Sequence, residues 1–459
     1  MFENHKVLLV FAGPVFSAIV ALLLWLNGWD SHACWTGAIA ALTAFWWITE
    51  AIPIPVTSLI PLASLPAVGV LTPGQIGESY GHWLILLLLG GFILSTAMAA
   101  SGAHRRVALG MVSLVGGHSS RRLVLGFMAA SAVLSMWISN TATTLMLLPV
   151  ALAILERSPD KALATPLLLG IAYAASVGGI GTPIGTPPNV VFRDAYQTAT
   201  GTDVAFLTWM SWGVPVVILL VPLIALWLTR KLSYQGAVEV PSVGRWQPYE
   251  TRVFIVFACT ALAWITRKEP FGGWSSWMNL PSANDASVAL LAVVAMFLIP
   301  NGKGGRLLDW ETANKIPWGM LILFGAGISL AKAFTASGLS AALGAALAGI
   351  ADWPLLLMIA VICLTITFLT EITSNTATTA LMMPILAAAA LAADVEPALM
   401  MVPAAMSASC AFMLPVATAP NTAVFSTGRF TTGIMAREGA VLNLIGAIAI
   451  SLVCLVLFG

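Results

Sequence analysis

Long apolar segments alternate with short polar segments along almost the whole chain. An α-helix needs roughly 20 apolar residues to cross a bilayer. Eleven segments come near that length, at about 7–26, 33–49, 54–70, 83–101, 163–180, 209–229, 251–266, 286–299, 318–337, 398–416 and 438–458. The pattern therefore predicts an all-α polytopic membrane protein with about 11 transmembrane helices, which begins with an N-terminal span within residues 1–32.

Two further apolar stretches are too short to span and carry polar residues at their midpoints. Residues 123–138 would form an arm of about 24 Å as a helix, against a hydrocarbon core of about 30 Å. Arginines precede this arm at 121 and 122, and Arg157 closes the return arm. Residues 121–157 therefore predict a re-entrant hairpin, and residues 353–393 predict a second. An ordinary helix pair with a polar turn is the alternative.

The midpoints of these two hairpins have the same sequence. SNTATT occurs at 139–144 and again at 374–379, which is 235 positions later (374 minus 139). Six identical residues, five of them polar, within two apolar stretches indicate an internal duplication. The two polar tips are therefore expected to meet at one site.

The duplicated regions are residues 33–229 and 251–459, with a linker at 230–250 between them. Each region holds an odd number of predicted spans, which inverts one copy relative to the other. Sixteen of the 20 Lys and Arg residues fall on the side of the N-terminus and the linker, and such a bias marks the cytoplasm. The sequence predicts two inverted repeats in a multi-pass protein of the cell inner (plasma) membrane, with a cytoplasmic N-terminus, a cytoplasmic linker and an external C-terminus.

Each hairpin is followed by an apolar segment that glycine and proline interrupt. The segment 163–198 contains GGIGTPIGTPPN at 178–189, and the segment 398–428 contains PVATAPN at 415–421. Proline cannot donate a backbone hydrogen bond within a helix, and broken backbone at membrane depth must be buried in protein or line a polar cavity. These segments predict two helices that break in mid-membrane. A simple kink is the alternative.

Composition supports the membrane assignment and limits the chemistry. Hydrophobic residues make up 59% of the chain and charged residues 8%, which is typical of a polytopic membrane protein. The net charge of +1 gives no reason to expect nucleic acid as a partner. The sequence contains no HExxH motif, no GxSxG motif and no pair of intramembrane aspartates, which argues against an enzyme.

The predicted centre is rich in neutral oxygen atoms. No Lys, Arg or His occurs in the two tips or in the interrupted stretches 178–189 and 415–421. Glu50 ends a predicted span, so its position is that of an interfacial residue. Glu371 precedes Ser374 by three residues and could support the second tip. Hydroxyls, carboxamides and main chain suit alkali cations and hydrogen bonding to carboxylates.

The repeat offset also predicts cation ligands. An offset of 235 pairs Ser135 with Thr370, each about one helical turn before its tip. We expect one alkali cation beside each tip, held by Ser135, Ser139, Asn140 and the Gly185 carbonyl in the first half, and by Thr370, Ser374, Asn375 and the Ala417 carbonyl in the second. The alternative is that these hydroxyls only bond back to the preceding helical turn.

These features resemble the divalent anion:sodium symporter family. The likeness runs from TEAIP at 49–53 to the last helix, and the paired Ser-Asn-Thr tips are its most specific mark. Residues of the second broken helix also match, namely Ser409, Phe412, Pro415, Asn421 and Val424. The resemblance implies a homodimer in which a fixed scaffold supports a mobile domain that carries both hairpins in an elevator motion.

The resemblance also implies a function and a binding site. It implies sodium-coupled symport of a divalent anion, most readily a C4-dicarboxylate such as succinate, malate or fumarate. It also implies that the cation expected beside each tip is Na⁺. It implies that the substrate-binding residues are Asn140, Thr141, Thr186, Asn375, Thr376 and Thr418. A dicarboxylate exchanger and a sulfate or citrate carrier of the same fold remain alternatives, as do a channel and an intramembrane enzyme.

Overall fold

The computed structural model describes residues 2–115, 119–234, 244–347, 349 and 353–458. Within these ranges every named element is a helix and no strand occurs, so the prediction of an all-α protein is confirmed. Residues 235–243 of the predicted linker and the C-terminal Gly459 lie outside the described residues.

Among its described residues, the first half contains twelve α-helices and two short 3-10 turns, at Lys161–Leu163 and Gly179–Gly181. The helices are α1 (Phe2–Leu26), α2 (Ser31–Thr49), α3 (Ile54–Thr57), α4 (Leu59–Ala67), α5 (Pro73–Tyr80), α6 (Trp83–Ser101), α7 (Ala103–Val115), α8 (Ser120–Ser135), α9 (Asn140–Arg157), α10 (Ala164–Gly178), α11 (Pro187–Thr200) and α12 (Phe206–Thr229).

The second half repeats much of this order. Its described helices are α13 (Pro248–Ile265), α14 (Gly273–Trp277), α15 (Asp285–Leu298), α16 (Trp310–Ala313), α17 (Trp318–Ala336), α18 (Leu339–Leu347), α19 (Leu355–Thr370), α20 (Asn375–Ala392), α21 (Ala398–Ser407), α22 (Ala419–Phe425) and α23 (Thr432–Phe458).

Seven segments of the described chain are long and apolar enough to cross a membrane. They are Val7–Leu26, Pro73–Ser101, Lys161–Gly181, Phe206–Thr229, Trp318–Ala336, Asn375–Ala392 and Thr432–Phe458. Shorter apolar helices cover Ile54–Ala67, Asp285–Leu298, Leu355–Thr370 and Ala398–Ser407. The count of about 11 transmembrane helices stays a prediction, because length and composition alone do not assign the shorter helices.

The two helix pairs α8–α9 and α19–α20 have the same construction. Each first arm has 16 residues and each return arm has 18. The four residues between the arms, 136–139 and 371–374, are called the first tip and the second tip below. Each return arm begins at the asparagine of its Ser-Asn-Thr sequence, so two helix N-termini lie at the tips.

The helix after each hairpin pair is interrupted, but the second interruption starts earlier than the sequence predicts. In the first half α10 ends at Gly178 and α11 begins at Pro187, close to the predicted break. In the second half α21 ends at Ser407, whereas the apolar pattern predicts a span to residue 416. Residues 179–186 and 408–418 are called the first break and the second break below.

Packing between the halves brings the tips and the breaks together. The helix before each break packs on the hairpin of its own half, α10 on α8 and α21 on α19. The helix after each break packs on the return arm of the other half, α11 on α20 and α22 on α9. Because the two interrupted helices cross between the halves in this way, both tips and both breaks lie close together.

Candidate functional site

A cavity of about 840 Å³ lies between the two tips and the two breaks. Ten of the twelve residues that the sequence predicts for the site lie on its wall. These ten are Ser139, Asn140, Thr141, Gly185, Thr186, Ser374, Asn375, Thr376, Ala417 and Thr418. The structure thus brings together residues that lie up to 279 positions apart (418 minus 139).

The remaining two predicted residues, Ser135 and Thr370, are fully buried behind the tips. The Ser135 hydroxyl donates to Asn140 Oδ1 at 2.7 Å. The Thr370 hydroxyl instead donates to the Thr367 carbonyl at 3.0 Å. This is a bond to the preceding helical turn, as the alternative to a cation site predicts. Asn375 Oδ1 is buried and has no hydrogen-bond partner among the described residues. The two Ser-Asn-Thr sequences are therefore identical, but the hydrogen bonds around them differ.

Asn189 stabilises the first break. It is fully buried, and its side-chain amide donates to the Gly179 carbonyl at 2.9 Å and to the Thr182 carbonyl at 2.7 Å. The Thr182 hydroxyl donates to the carbonyl of Met136 in the first tip. These bonds satisfy carbonyl groups that helix termination leaves open, and they connect the first break to the first tip.

Asn421 has the same role in the second break. Its amide donates to the Ala411 carbonyl at 2.9 Å and to the Leu414 carbonyl at 3.1 Å. The sequence did not indicate that these two asparagines would bond the carbonyl groups of the breaks. The available signal was their position at the end of TPPN and TAPN, at an offset of 232.

Two glycines let the last helix of each half pack directly on a break. A Cβ added to Gly213 in α12 would lie 2.4 Å from the Ile180 carbonyl oxygen. A Cβ added to Gly439 in α23 would lie 2.2 Å from the Phe412 carbonyl oxygen. Real Cβ atoms do not approach oxygen so closely, so only glycine fits at either position.

Three charged residues of the described chain also line the cavity, and their sequence positions alone did not place all three there. Glu371 belongs to the second tip, as its sequence position predicts. Glu50, which looked interfacial, contributes to the wall from the end of α2, where its φ is +47°. Lys315 contributes from the loop before α17 and is exposed. The tips and breaks contain no basic side chain, but Lys315 places one elsewhere on the cavity wall.

A buried ion cluster lies apart from the cavity wall. Arg193 is one of the four basic residues that the predicted topology places on the external side, and it belongs to α11 and has no exposed surface. Its guanidinium bonds Asp203 at 3.0 Å and Asp285 at 2.8 Å, and Arg267 bonds Asp285 at 2.5 Å. Both arginines are paired within the protein, because a buried charge needs a partner. They therefore no longer count as external loop charges.

The architecture defines a class of protein. In the described chain, helices surround a central cavity lined by two polar hairpin tips and two helix breaks, which is the construction of a secondary transporter. The sequence profile of the citrate transporter family matches residues 44–405, and the chain belongs to this family. The predicted resemblance to the divalent anion:sodium symporters is confirmed, and the protein is an integral plasma-membrane transporter rather than an enzyme.

Curated relatives are similar over nearly the whole chain. The sodium-dependent dicarboxylate transporter SdcS of Staphylococcus saprophyticus is 39% identical over 467 residues, which cover 96% of this chain and 89% of that protein. The protein of the same name from Staphylococcus aureus strain MRSA252 is 38% identical, with coverage of 98% and 91%.

Two solved structures share the fold at low sequence identity. The YdaH transporter of Alcanivorax borkumensis has a TM-score of 0.56 at 16% identity, and the alignment covers 83% of this chain and 86% of that chain. MtrF of Neisseria gonorrhoeae has a TM-score of 0.57 at 15% identity, with coverage of 86% and 84%. At such identities the likeness concerns the fold alone.

Proposed function

We propose that the protein is a sodium-coupled symporter of a divalent anion, most readily a C4-dicarboxylate such as succinate, malate or fumarate. The observation that carries this proposal is the convergence of both Ser-Asn-Thr sequences on one cavity. Both return-arm N-termini lie at this cavity, and helix N-termini attract anions. The names of the two relatives, sodium-dependent dicarboxylate transporters, support the same substrate class.

The pairing of the tips suits an anion with a carboxylate at each end. In this proposal Asn140 and Thr141 bind one carboxylate and Asn375 and Thr376 bind the other. Thr186 and Thr418 lie on the wall nearby. Amide and hydroxyl groups can donate to carboxylate oxygens without adding charge. A citrate carrier is the second candidate, because the matching family is described as citrate transporters.

Two Na⁺ sites complete the proposed mechanism. The Ser135 and Thr370 hydroxyls each donate one bond and keep lone pairs that can bind a cation. Ser135→Ala and Thr370→Ala should each raise the sodium concentration for half-maximal uptake about fivefold, since one lost polar contact costs about 1 kcal/mol. Sodium titrations of uptake measure this effect.

A matched control for these two variants is Ser131→Ala. Ser131 is a buried serine of the same arm, and its hydroxyl donates to the Ile171 carbonyl at 2.8 Å, away from the tips. Its replacement should leave the sodium dependence unchanged. If Ser135→Ala and Thr370→Ala both behave like this control, neither hydroxyl binds sodium.

We also propose that residues 33–229 and 251–459 are inverted repeats, and that a homodimer transports substrate by an elevator motion. The matched arms and the two bridging asparagines support the repeats. Inversion predicts that the 230–250 linker is cytoplasmic and that Gly459 is external. Single cysteines at Arg245 and Gly459, in a chain without its native cysteines, should react with a membrane-impermeant maleimide from opposite sides. Labelling of both from one side would exclude this topology.

Uptake by the reconstituted protein tests the proposed function. Proteoliposomes that face an inward sodium gradient should accumulate labelled succinate, whereas vesicles with equal sodium on both sides should only equilibrate it. Excess unlabelled malate or fumarate outside should compete. Uptake that needs no sodium but rises with unlabelled dicarboxylate inside the vesicles would identify an exchanger instead.

A further inference from the structure

The Glu371 carboxylate joins three separate parts of the second half of the chain. The residue begins the second tip and is 3% exposed. Its Oε1 accepts hydrogen bonds from the Met413 backbone N–H at 2.8 Å and from Asn443 Nδ2 at 2.7 Å. Its Oε2 accepts from the Leu414 N–H at 3.0 Å. One side chain therefore holds the second tip, the second break and α23 together.

These bonds also fix the groups proposed to bind the second Na⁺. Thr370 directly precedes Glu371, and Ser374 ends the same tip. The Leu414 carbonyl accepts a bond from the Ala417 N–H at 3.2 Å, so the turn that carries the Ala417 carbonyl starts at a residue that Glu371 holds. All four proposed ligands of the second site thus lie in the tip and the break that Glu371 joins, or directly beside the tip.

The charge of Glu371 has no basic partner in the described chain. Its three donors are neutral, and none of the ion pairs among the described residues includes it. Hydrogen bonds to a carboxylate favour its charged form, but a buried charge remains costly unless an opposite charge pairs with it. A bound cation at the second tip would supply that opposite charge.

The first tip has no such group. The offset of 235 places Met136 opposite Glu371 (371 minus 235). Met136 is neutral, and its carbonyl accepts the Thr182 hydroxyl. The first break is thus fastened to its tip by a neutral bond, while the second break is fastened by a carboxylate. Two cation sites built on these tips would experience different electrostatic potentials.

We propose that Glu371 is a positioning residue that makes the second cation site the tighter of the two, so that sodium occupies the second tip first. This inference rests on the proposed function, and it specifies how that function's two cation sites differ. The negative charge attracts the cation, and the bonds to Met413 and Leu414 hold the break in the arrangement that binds it. The first site, which has no carboxylate in its tip, fills at higher sodium concentration.

Sodium binding without substrate tests this proposal. The purified protein in detergent is heated in sodium chloride titrated against choline chloride at constant ionic strength. A ligand that binds the folded state raises the melting temperature. Glu371→Gln keeps the side-chain shape, removes the charge and replaces one accepting oxygen by a donor. In this variant the half-maximal sodium concentration should rise at least about tenfold, as expected for the loss of an adjacent opposite charge.

Glu438→Gln is the matched control. Glu438 is also buried, at 7% exposure, and lies in α23, but its carboxylate pairs with Arg230 at 2.7 Å and is not on the cavity wall. This variant should keep the wild-type sodium dependence. An unchanged sodium dependence in Glu371→Gln would overturn the inference while leaving the proposed function standing. A wild-type protein that sodium does not stabilise would instead contradict the cation sites of the proposed function.

A second pair of variants decides the question if Glu371→Gln does not fold. Ser139→Ala and Ser374→Ala change one proposed ligand at each tip and leave Glu371 in place. The inference requires that Ser374→Ala lose the stabilisation seen at low sodium and that Ser139→Ala keep it. Equal losses in the two variants would mean that the sites do not differ, and the inference would be wrong.

Discussion

Replacing Asn140 or Asn375 by alanine is expected to abolish sodium-driven dicarboxylate uptake. Each asparagine begins a return arm, lies on the cavity wall and is proposed to contact both a carboxylate and a sodium ion. A hydrogen bond to a charged group contributes about 1.5–3 kcal/mol, so the loss of the carboxylate contact alone should lower uptake by about ten- to a hundredfold. The loss of a cation ligand adds to this effect.

The measurement is initial uptake of labelled succinate at equal amounts of reconstituted protein. Asn27→Ala serves as the control, because Asn27 is exposed after α1 and its amide only bonds the Leu23 carbonyl at 2.8 Å. This control should transport like the wild type. If either cavity variant keeps uptake within about twofold of the wild type, the tips do not act as the proposed substrate site.

Membrane potential should produce the second large effect. A dianion that enters a cell at 100 mV, negative inside, climbs about 4.6 kcal/mol, at about 2.3 kcal/mol per charge. The tips and breaks contain no Lys, Arg or His side chain that could neutralise the dianion. A helix N-terminus supplies only about half a positive charge. Two sodium ions transported with the dianion would bring the net transported charge to zero. Three would make this net charge positive, so that the membrane potential would favour entry. Uptake in choline at this potential should therefore vanish.

Vesicles clamped with potassium and valinomycin measure this dependence. With three coupled sodium ions, a potential that is negative inside should accelerate uptake, and with two it should leave the rate unchanged. The same vesicles at 0 mV provide the control for leakage. Succinate uptake in choline that persists against the potential, and increases with unlabelled dicarboxylate inside, would favour the exchanger.

The sequence was sufficient to predict which residues line the cavity because the same six-residue sequence, SNTATT, occurs there twice. The identical SNTATT sequences and their common offset located both tips, and ten predicted residues do line the cavity. The length of the first short arm, 16 residues, followed from its apolar run at 123–138, although the helix itself lies three residues earlier. Glycine and proline similarly located the first break to within a few residues.

The features that the sequence did not reveal depend on contacts between distant segments. The second break begins after Ser407 because Asn421 and Glu371 bond its peptide groups in place of a helical ladder. Glu371 and Met413 are 42 positions apart, and no local pattern pairs them. Lys315 lies in the loop before α17, and only the fold brings this residue to the cavity wall. Arg193 counted as an external charge by its position in the chain, because the sequence does not show that two aspartates pair with it.

Equilibrium binding of labelled succinate to the purified protein tests most directly whether the two tips form one site. The wild type should bind one succinate per chain in sodium and none measurable in choline. Asn140→Ala and Asn375→Ala should each abolish this binding, although the two residues lie 235 positions apart (375 minus 140). Saturable binding that survives in either variant, or that is equally tight in choline, would contradict a single sodium-dependent site formed by both tips.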